Sequence, residues 1–92
     1  MKESELEVKT KKLIEDAGGR FLKFTSPGMR GVPDRLALWP LASADFIEMK
    51  RPKGGRLSPL QVHRHEELRL LGFRVVVIWT IEQAKEYVEG KR

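Results

Sequence analysis

The chain has 92 residues, which is enough for a single domain over residues 1–92 with one modest hydrophobic core. Its 18 Lys and Arg against 13 Asp and Glu give a formal net charge of +5, which suits a polyanionic partner but does not identify one. The absence of cysteine excludes disulfides and Cys-ligated zinc, and no apolar run has the length of a signal core or membrane span, so we expect a cytoplasmic protein that does not bind membranes.

A first helix is predicted from apolar and small residues at helical spacing, namely Leu6, Thr10, Leu13, Ile14 and Ala17. Gly18 and Gly19 end it. Ser4 and Glu7 have the spacing of a capping box, which from spacing alone is the favoured explanation of Glu7. Glu7 also lies beside the apolar face of the helix, so it can point toward a sheet.

The first strand is predicted over residues 20–24, with Lys23 interrupting a half-apolar face. Lys23 either covers the sheet edge with its stem or places its ammonium near a substrate phosphate. The loop that follows contains Ser26 and two glycines, with Arg30 at its tip. Its backbone N–H groups and Arg30 could contact phosphate, or the segment is only a turn.

A β-hairpin is predicted from two apolar runs of strand length, residues 36–39 and 46–49, with a turn over residues 40–44. If Trp39 pairs roughly with Asp45, Asp34 lies opposite Lys50 at the open end of the hairpin. Because side chains alternate along a strand, Glu48 and Lys50 share one face. The pattern therefore brings Asp34, Glu48 and Lys50 together.

These three side chains have the chemistry of a phosphodiesterase site. Two neighbouring carboxylates repel one another unless a cation lies between them, and Mg²⁺ takes one or two carboxylates together with waters and phosphate oxygens. A lysine beside the metal can orient and help deprotonate a water, or neutralise charge that builds on phosphorus.

The segment after Lys50 is basic and rich in Gly and Pro, and it predicts a mobile loop that could hold a nucleic-acid backbone through Arg51, Lys53 and Arg56. A second helix then runs to Leu71, with Ser58 and Gln61 at capping-box spacing, which on spacing alone explains Gln61. His63 and His65 lie two residues apart and so on different helix faces, which places them at the surface or near DNA rather than on one metal.

The run over residues 73–79 is the most continuous β-branched segment and predicts a central strand covered on both faces. Thr80 begins a last helix, with Gln83 as its capping partner and Ile81, Ala84, Tyr87 and Val88 packed inward. The element order gives an α/β fold in which the third strand connects through a helix to a parallel fourth.

Several of these residues resemble the VRR-NUC (virus-type replication-repair nuclease) domains of the PD-(D/E)XK nuclease superfamily. The resemblance covers nearly the whole chain and is carried by Glu7, Gly18-Gly19, Lys23, Ser26-Pro27-Gly28, Gly31-Val32-Pro33-Asp34, Glu48-Met49-Lys50 and Gly55-Arg56-Leu57-Ser58-Pro59-Leu60-Gln61. It implies a restriction-endonuclease-like α-β-β-β-α-β core, a mixed four-stranded sheet flanked by helices, with an extra C-terminal helix.

The resemblance also implies roles for individual residues. Asp34, Glu48 and the Met49 backbone carbonyl would bind Mg²⁺ or Mn²⁺, with Glu7 on the metal directly or through water. Catalysis would use Glu7, Asp34, Glu48, Lys50 and Gln61, and DNA would be held by Lys23, Ser26, Arg30, Arg51, Lys53 and Arg56.

The function predicted on this basis is a metal-dependent, structure-specific DNA endonuclease of DNA repair, in a bacterium or in the host of a phage. A homodimer that resolves four-way (Holliday) junctions is expected, because two symmetric incisions need two sites. Three alternatives remain open: a flap- or nick-directed nuclease, a non-catalytic nucleic-acid-binding module on the same fold, and a small structural or interaction domain.

Overall fold

A computed structural model describes residues 1–91 as three helices and four strands. The elements are α1 (Glu3–Asp16), β1 (Arg20–Lys23), β2 (Arg35–Trp39), β3 (Ser43–Met49), α2 (Pro59–Leu70), β4 (Arg74–Ile78) and α3 (Ile81–Glu89). No helix within residues 1–91 is both long enough and apolar enough to cross a lipid bilayer.

The strands form one sheet in the order β1-β2-β3-β4, in which β1, β2 and β3 are antiparallel neighbours and β4 runs parallel to β3. The predicted core order with its extra C-terminal helix is confirmed. The prediction that the fourth strand is central is wrong, because β4 lies at one edge of the sheet. Its run of apolar residues has another cause, which is that both faces of the strand are partly covered. Val76 and Ile78 face the main core, and Val75 is buried on the opposite face. Arg69 of α2 donates to the Val75 carbonyl at 2.9 Å.

The main core lies between the sheet and the helices α1 and α3. It consists of Leu6, Ile14, Phe21, Ala37, Trp39, Ile47, Met49, Ile78, Ala84, Tyr87 and Val88. Asp45 is buried at its rim, where the Tyr87 hydroxyl donates to it and Lys91 Nζ lies 2.7 Å away. A buried carboxylate needs such partners, so these contacts account for a charge inside a small core.

The hairpin register differs from the prediction by two residues. Trp39 pairs with Ser43, not with Asp45, and β3 therefore begins earlier than expected. The cause is a three-residue turn in which Leu41 and Ala42 have φ of 65° and 59°. This is a left-handed conformation that these residue types rarely adopt. Because a shift of two preserves the side-chain faces, the expected face of Glu48 is unaffected.

Two of the three predicted capping boxes are confirmed, those of Ser58 with Gln61 and of Thr80 with Gln83. The one predicted for Ser4 and Glu7 is wrong: α1 begins one residue before Ser4, its N-cap is Lys2, and no side chain caps it. The carboxylate of Glu7 is instead bound by an arginine from the sheet.

Candidate active site

Asp34, Glu48 and Lys50 meet at one end of the sheet, where β1, β3 and β4 end and β2 begins. Asp34 directly precedes β2, and continuing the register by one pair places it opposite Glu48. The Phe24 N–H donates to the Asp34 carbonyl at 2.8 Å, and the Lys50 N–H donates to the Ile78 carbonyl at 3.0 Å. Backbone bonds to neighbouring strands therefore fix the chain on both sides of the site.

Glu48 is the residue whose chemistry is most changed by this environment. Its side chain is only 6% exposed, and burial together with the neighbouring Asp34 charge raises its pKa to about 7, against the opposing effect of Lys50. Its Oε1 is buried without a hydrogen-bond partner among residues 1–91. A carboxylate in this state is stabilised by a cation, which would favour its ionised form and occupy its free oxygen.

The donor set fits a hard divalent cation rather than a structural zinc. Residues 1–91 contain no group of three or more His, Asp or Glu arranged around a common metal position. Two carboxylates are nevertheless the number that Mg²⁺ takes when it keeps several waters and binds substrate phosphate. The unpartnered Oε1 of Glu48, beside Asp34, matches that requirement.

Arg35 joins Glu7 to Asp34, a role that the sequence reasoning missed. Its Nε donates to Glu7 Oε1 at 2.7 Å, and its Nη1 donates to the Asp34 carbonyl at 2.9 Å and lies 3.2 Å from Asp34 Oδ2. The hydrogen bond from Arg35 lowers the pKa of Glu7. Arg35 pairs with Ile47, so it leaves the strand on the α1 face and reaches around the sheet end to Asp34. Its position next to Asp34 in the chain was the available signal.

His65 also belongs to the site, and its predicted surface position is wrong. It is 1% exposed, and its Nε2 lies 3.6 Å from Glu48 Oε1. The spacing of His65 from Gln61 is more informative than its spacing from His63. Residues four apart lie on the same helix face, so His65 lies on the face of α2 that carries Gln61. His63 is exposed, as expected.

Gln61 lies in the first turn of α2, where its Oε1 accepts from the Ser58 N–H at 2.9 Å. This turn packs against the loop that leads to Asp34, since a Cβ on Gly31 would come within 2.9 Å of Leu60 Cγ. The same loop is held by Arg64, whose Nε donates to the Arg30 carbonyl at 3.0 Å. The catalytic role of Gln61 stays a prediction.

The predicted DNA-contacting residues lie at the end of β1 and in the loops after β1 and β3, at the end of the sheet where Asp34 and Glu48 lie. Lys23 lies toward α1, where its charge helps to lower the pKa of Glu7. Ser26 and Arg30 are in the loop before β2, and Arg51, Lys53 and Arg56 are in the loop after β3. The loop after β3 was predicted to be mobile, yet Trp79 Nε1 donates to the Gly55 carbonyl in this loop at 3.1 Å and anchors it. Their contacts with DNA stay predictions.

Comparison with known proteins finds similarity to a phage protein and to a solved structure, and no protein-family model matches the chain. A protein of Acyrthosiphon pisum secondary endosymbiont phage 1, described as "Putative nuclease p44", is 43% identical over 65 residues, which make up 71% of this chain and 69% of that protein. A solved structure described as "VRR_NUC domain" has a TM-score of 0.89 at 28% identity, with 98% of this chain and 97% of the other covered. Both sequence and fold are therefore shared with known proteins along most of their length.

Proposed function

The chain belongs to the VRR-NUC family of nuclease domains, and on that premise we propose that it is a metal-dependent, structure-specific DNA endonuclease acting at the Asp34 and Glu48 site. One observation carries the proposal. Glu48 is buried beside Asp34 with a pKa raised to about 7 and an unpartnered oxygen, and Lys50 lies close enough to oppose that shift. A fold does not need such a charge cluster, whereas phosphodiester hydrolysis does.

Each residue of the site has its own role in the proposed hydrolysis. Asp34, Glu48 and the Met49 carbonyl would hold Mg²⁺ or Mn²⁺, which would supply Lewis-acid chemistry and lower the pKa of a water. Lys50 orients the attacking water and balances negative charge on the phosphate in the transition state. Gln61, at the start of α2 beside the Gly31 loop, supplies a carboxamide on the substrate side of the site.

Glu7 contributes through its ion pair with Arg35, and a metal contact through water remains part of the proposal. The observed contacts favour the first route, because Arg35 holds the Glu7 carboxylate at 2.7 Å and the Asp34 carbonyl at 2.9 Å. In this way α1 fixes the position of Asp34, a proposed metal ligand just before β2. Glu7→Gln and Arg35→Gln then impair the same function.

Lys23, Ser26, Arg30, Arg51, Lys53 and Arg56 bind the DNA backbone in this proposal. Both loops that carry most of them adjoin Asp34 or Lys50 in the chain, so backbone contacts there would place a phosphate at the metal. These contacts are to phosphate rather than to bases, which agrees with recognition of DNA shape rather than sequence.

The preferred substrate is a four-way junction and the active species is a homodimer. A C2 dimer supplies the two symmetric sites that paired incisions need. Exposed apolar side chains are available for such an interface on and after α2, with Leu70 88% exposed and Leu71 74% exposed. A dimer that covers them would remove apolar surface of the kind that marks interaction sites.

The test is cleavage of a panel of end-labelled DNAs, comprising linear duplex, single strand, flap and four-way junction, with Mg²⁺, with Mn²⁺ and with EDTA. The proposal expects cleavage that EDTA abolishes, with incisions at paired symmetric positions of the junction, and a dimer in sedimentation at micromolar concentration. A monomer, or incisions without symmetric mates, would overturn the resolvase specificity and leave a flap- or nick-directed nuclease.

Asp16→Asn is a matched control for the catalytic variants, because Asp16 is an exposed acid at the far end of α1 that pairs with Lys12 at the surface. Cleavage by Asp16→Asn at the parent rate, together with loss of cleavage in Glu48→Gln, assigns the activity to the site. Binding to DNA without cleavage under every metal condition would identify a non-catalytic module on the same fold.

A further inference from the structure

His65 is the one buried side chain of α2, and it is polar. Both of its ring nitrogens are buried without a hydrogen-bond partner among residues 1–91, and so is Oε1 of Glu48. Buried polar atoms are nearly always paired, because leaving them unpaired destabilises the fold. Three unpaired atoms at one place therefore call for an explanation.

The geometry offers a partner to two of these atoms, Nε2 of His65 and Oε1 of Glu48. His65 Nε2 and Glu48 Oε1 face each other at 3.6 Å, and a movement of roughly 0.5 Å brings such a pair into the ordinary N–H···O range. Pairing of β3 with β2 on one side and with β4 on the other holds the backbone of Glu48, and the capping box of Ser58 and Gln61 holds the start of α2. The remaining freedom lies in the two side chains, which a shared hydrogen bond would fix.

The charges around His65 favour its neutral form. Burial, and the positive charges of Arg69 and Lys50, lower the pKa of the imidazole. A neutral imidazole carries one N–H, and its tautomer is set by the group that each nitrogen faces. Since Nε2 faces the Glu48 carboxylate, the proton belongs on Nε2.

We propose that His65 is a positioning residue whose Nε2–H donates a hydrogen bond to Glu48 Oε1 and so orients the Glu48 carboxylate for a divalent cation. The inference rests on the proposed function, in which Glu48 is a metal ligand. With Oε1 held in this way, Oε2 and the outer lone pair of Oε1 are left for the cation. Partners of this kind behind a ligand commonly change metal affinity or activity 10- to 100-fold.

The same position permits a competing arrangement. If the proton lies on Nδ1, the Nε2 lone pair points toward Glu48, and His65 could itself bind the cation as a third ligand. The two arrangements differ in one observable property, the imidazole tautomer of the metal-free protein.

The first experiment is a long-range ¹H–¹⁵N spectrum of the ¹⁵N-labelled full chain in EDTA at pH 8. The proposal expects His65 as the Nε2–H tautomer, and Glu48→Gln should shift its Nε2 resonance while leaving the exposed His63 unchanged. An Nδ1–H tautomer, or a His65 resonance that does not respond to Glu48→Gln, would overturn the proposal. This arm needs neither metal binding nor cleavage.

The second experiment measures Mn²⁺ affinity by calorimetry for the parent, His65→Gln and His65→Leu. Leucine fills a similar volume without a donor, whereas glutamine keeps an N–H near the position of Nε2. His65→Leu should bind Mn²⁺ about 10-fold to 100-fold more weakly while its thermal unfolding stays cooperative, and His65→Gln should recover most of the loss.

The outcomes distinguish a failure of the role proposed for His65 from a failure of the proposed function. Equal Mn²⁺ affinity in the parent and in a folded His65→Leu would overturn the role of His65 and leave the proposed function standing. If His65→Leu does not fold, a His65→Gln protein that shows no gain in affinity over His65→Ala decides against the hydrogen bond. A parent chain that does not bind Mn²⁺ would overturn the proposed function itself, while the tautomer still reports on the contact with Glu48.

Discussion

Glu7 on α1 and Arg35 on β2 form an ion pair in which Nε and Nη2 of the arginine both lie 2.7 Å from Glu7 Oε1. The Arg35 side chain is 14% exposed and that of Glu7 is 27% exposed, so the pair is partly shielded from water. Because Arg35 also binds the Asp34 carbonyl, this contact couples the packing of the first helix to the position of a proposed metal ligand.

Replacing Glu7 with Gln should lower the free energy of unfolding at pH 7 by about 1 kcal/mol, since a charge-assisted hydrogen bond to a partly buried arginine is lost. The pKa of Glu7 is lowered by Arg35, so this contribution is present above the ordinary pKa of 4.5 and disappears as the pH falls through the lowered value. Urea unfolding at neutral and acid pH measures it. Glu5→Gln is the control, because Glu5 is an exposed acid of the same helix.

Glu7→Gln and Arg35→Gln together distinguish two ways in which Glu7 could act. If Glu7 works through Arg35, a double-mutant cycle of Glu7→Gln and Arg35→Gln on cleavage rate gives strong coupling, and the double variant is about as slow as either single one. Additive losses, with metal affinity lowered by Glu7→Gln alone, would indicate a direct contact between Glu7 and the metal.

Glu48→Gln should stabilise the metal-free chain while abolishing cleavage. The raised pKa of Glu48 means that the folded state holds this proton more tightly than the unfolded state, so the parent loses stability as the pH rises from about 4.5 to about 7. Glutamine does not titrate, so the stability difference between variant and parent should grow over that interval, to at most about 3 kcal/mol, and then level off. Thermal unfolding in EDTA across this range measures the difference, and a difference that does not change with pH would contradict the assigned environment.

Gly31→Ala should destabilise the chain by roughly 2–4 kcal/mol and reduce cleavage. Gly31 has φ of 82°, and an added Cβ would lie 2.9 Å from Leu60 Cγ and 3.0 Å from the Leu60 carbonyl oxygen, so the loop would have to leave α2. Gly28→Ala is the matched control in the same loop, since a Cβ there meets nothing within 4 Å. Comparable losses in both variants would show that close packing against α2 is not the cause.

Neutralising Lys53 and Arg56 together should weaken binding to all DNA sequences alike and reduce the slope of log affinity against log salt by about one to two units. Each phosphate contact contributes just under one unit, and contacts to phosphate carry no sequence information. Replacing Lys9 and Lys12, which are exposed on α1, removes the same charge elsewhere. Fluorescence anisotropy over a salt series measures the slope, and an equal change in both double variants would remove the loop from the interface.

The sequence was sufficient to predict the element order and the grouping of Asp34, Glu48 and Lys50, because both depend on side-chain patterns of period two in strands and 3.6 in helices. The alternation along β3 placed Glu48 on the correct face even though the register was wrong by two residues, since an even shift preserves faces. The register itself depended on φ values at Leu41 and Ala42 that these residue types rarely adopt, so no local signal revealed it.

The residues that contact Glu48 and Glu7, namely His65 and Arg35, could not be predicted in the same way. The helical spacing of Gln61 and His65 was enough to place them on a common face, although the comparison with His63 was used instead. The burial of His65 depends on how α2 packs against the sheet, which is a tertiary property. Likewise, the spacing of Ser4 and Glu7 suggested a cap, whereas the ion pair with Arg35 offered Glu7 a partner 28 residues away in sequence.

The central claim is that Asp34, Glu48 and Lys50 form one metal-dependent hydrolytic site, and single-turnover cleavage of a labelled four-way junction in Mg²⁺ by the parent and by Asp34→Ala tests it most directly. We expect cleavage by the parent that EDTA stops, no cleavage by Asp34→Ala, and junction binding by Asp34→Ala within about threefold of the parent, since the basic loops are untouched. Lys50→Ala should lose turnover while still binding Mn²⁺. Cleavage by Asp34→Ala at the parent rate in Mg²⁺ would contradict the claim.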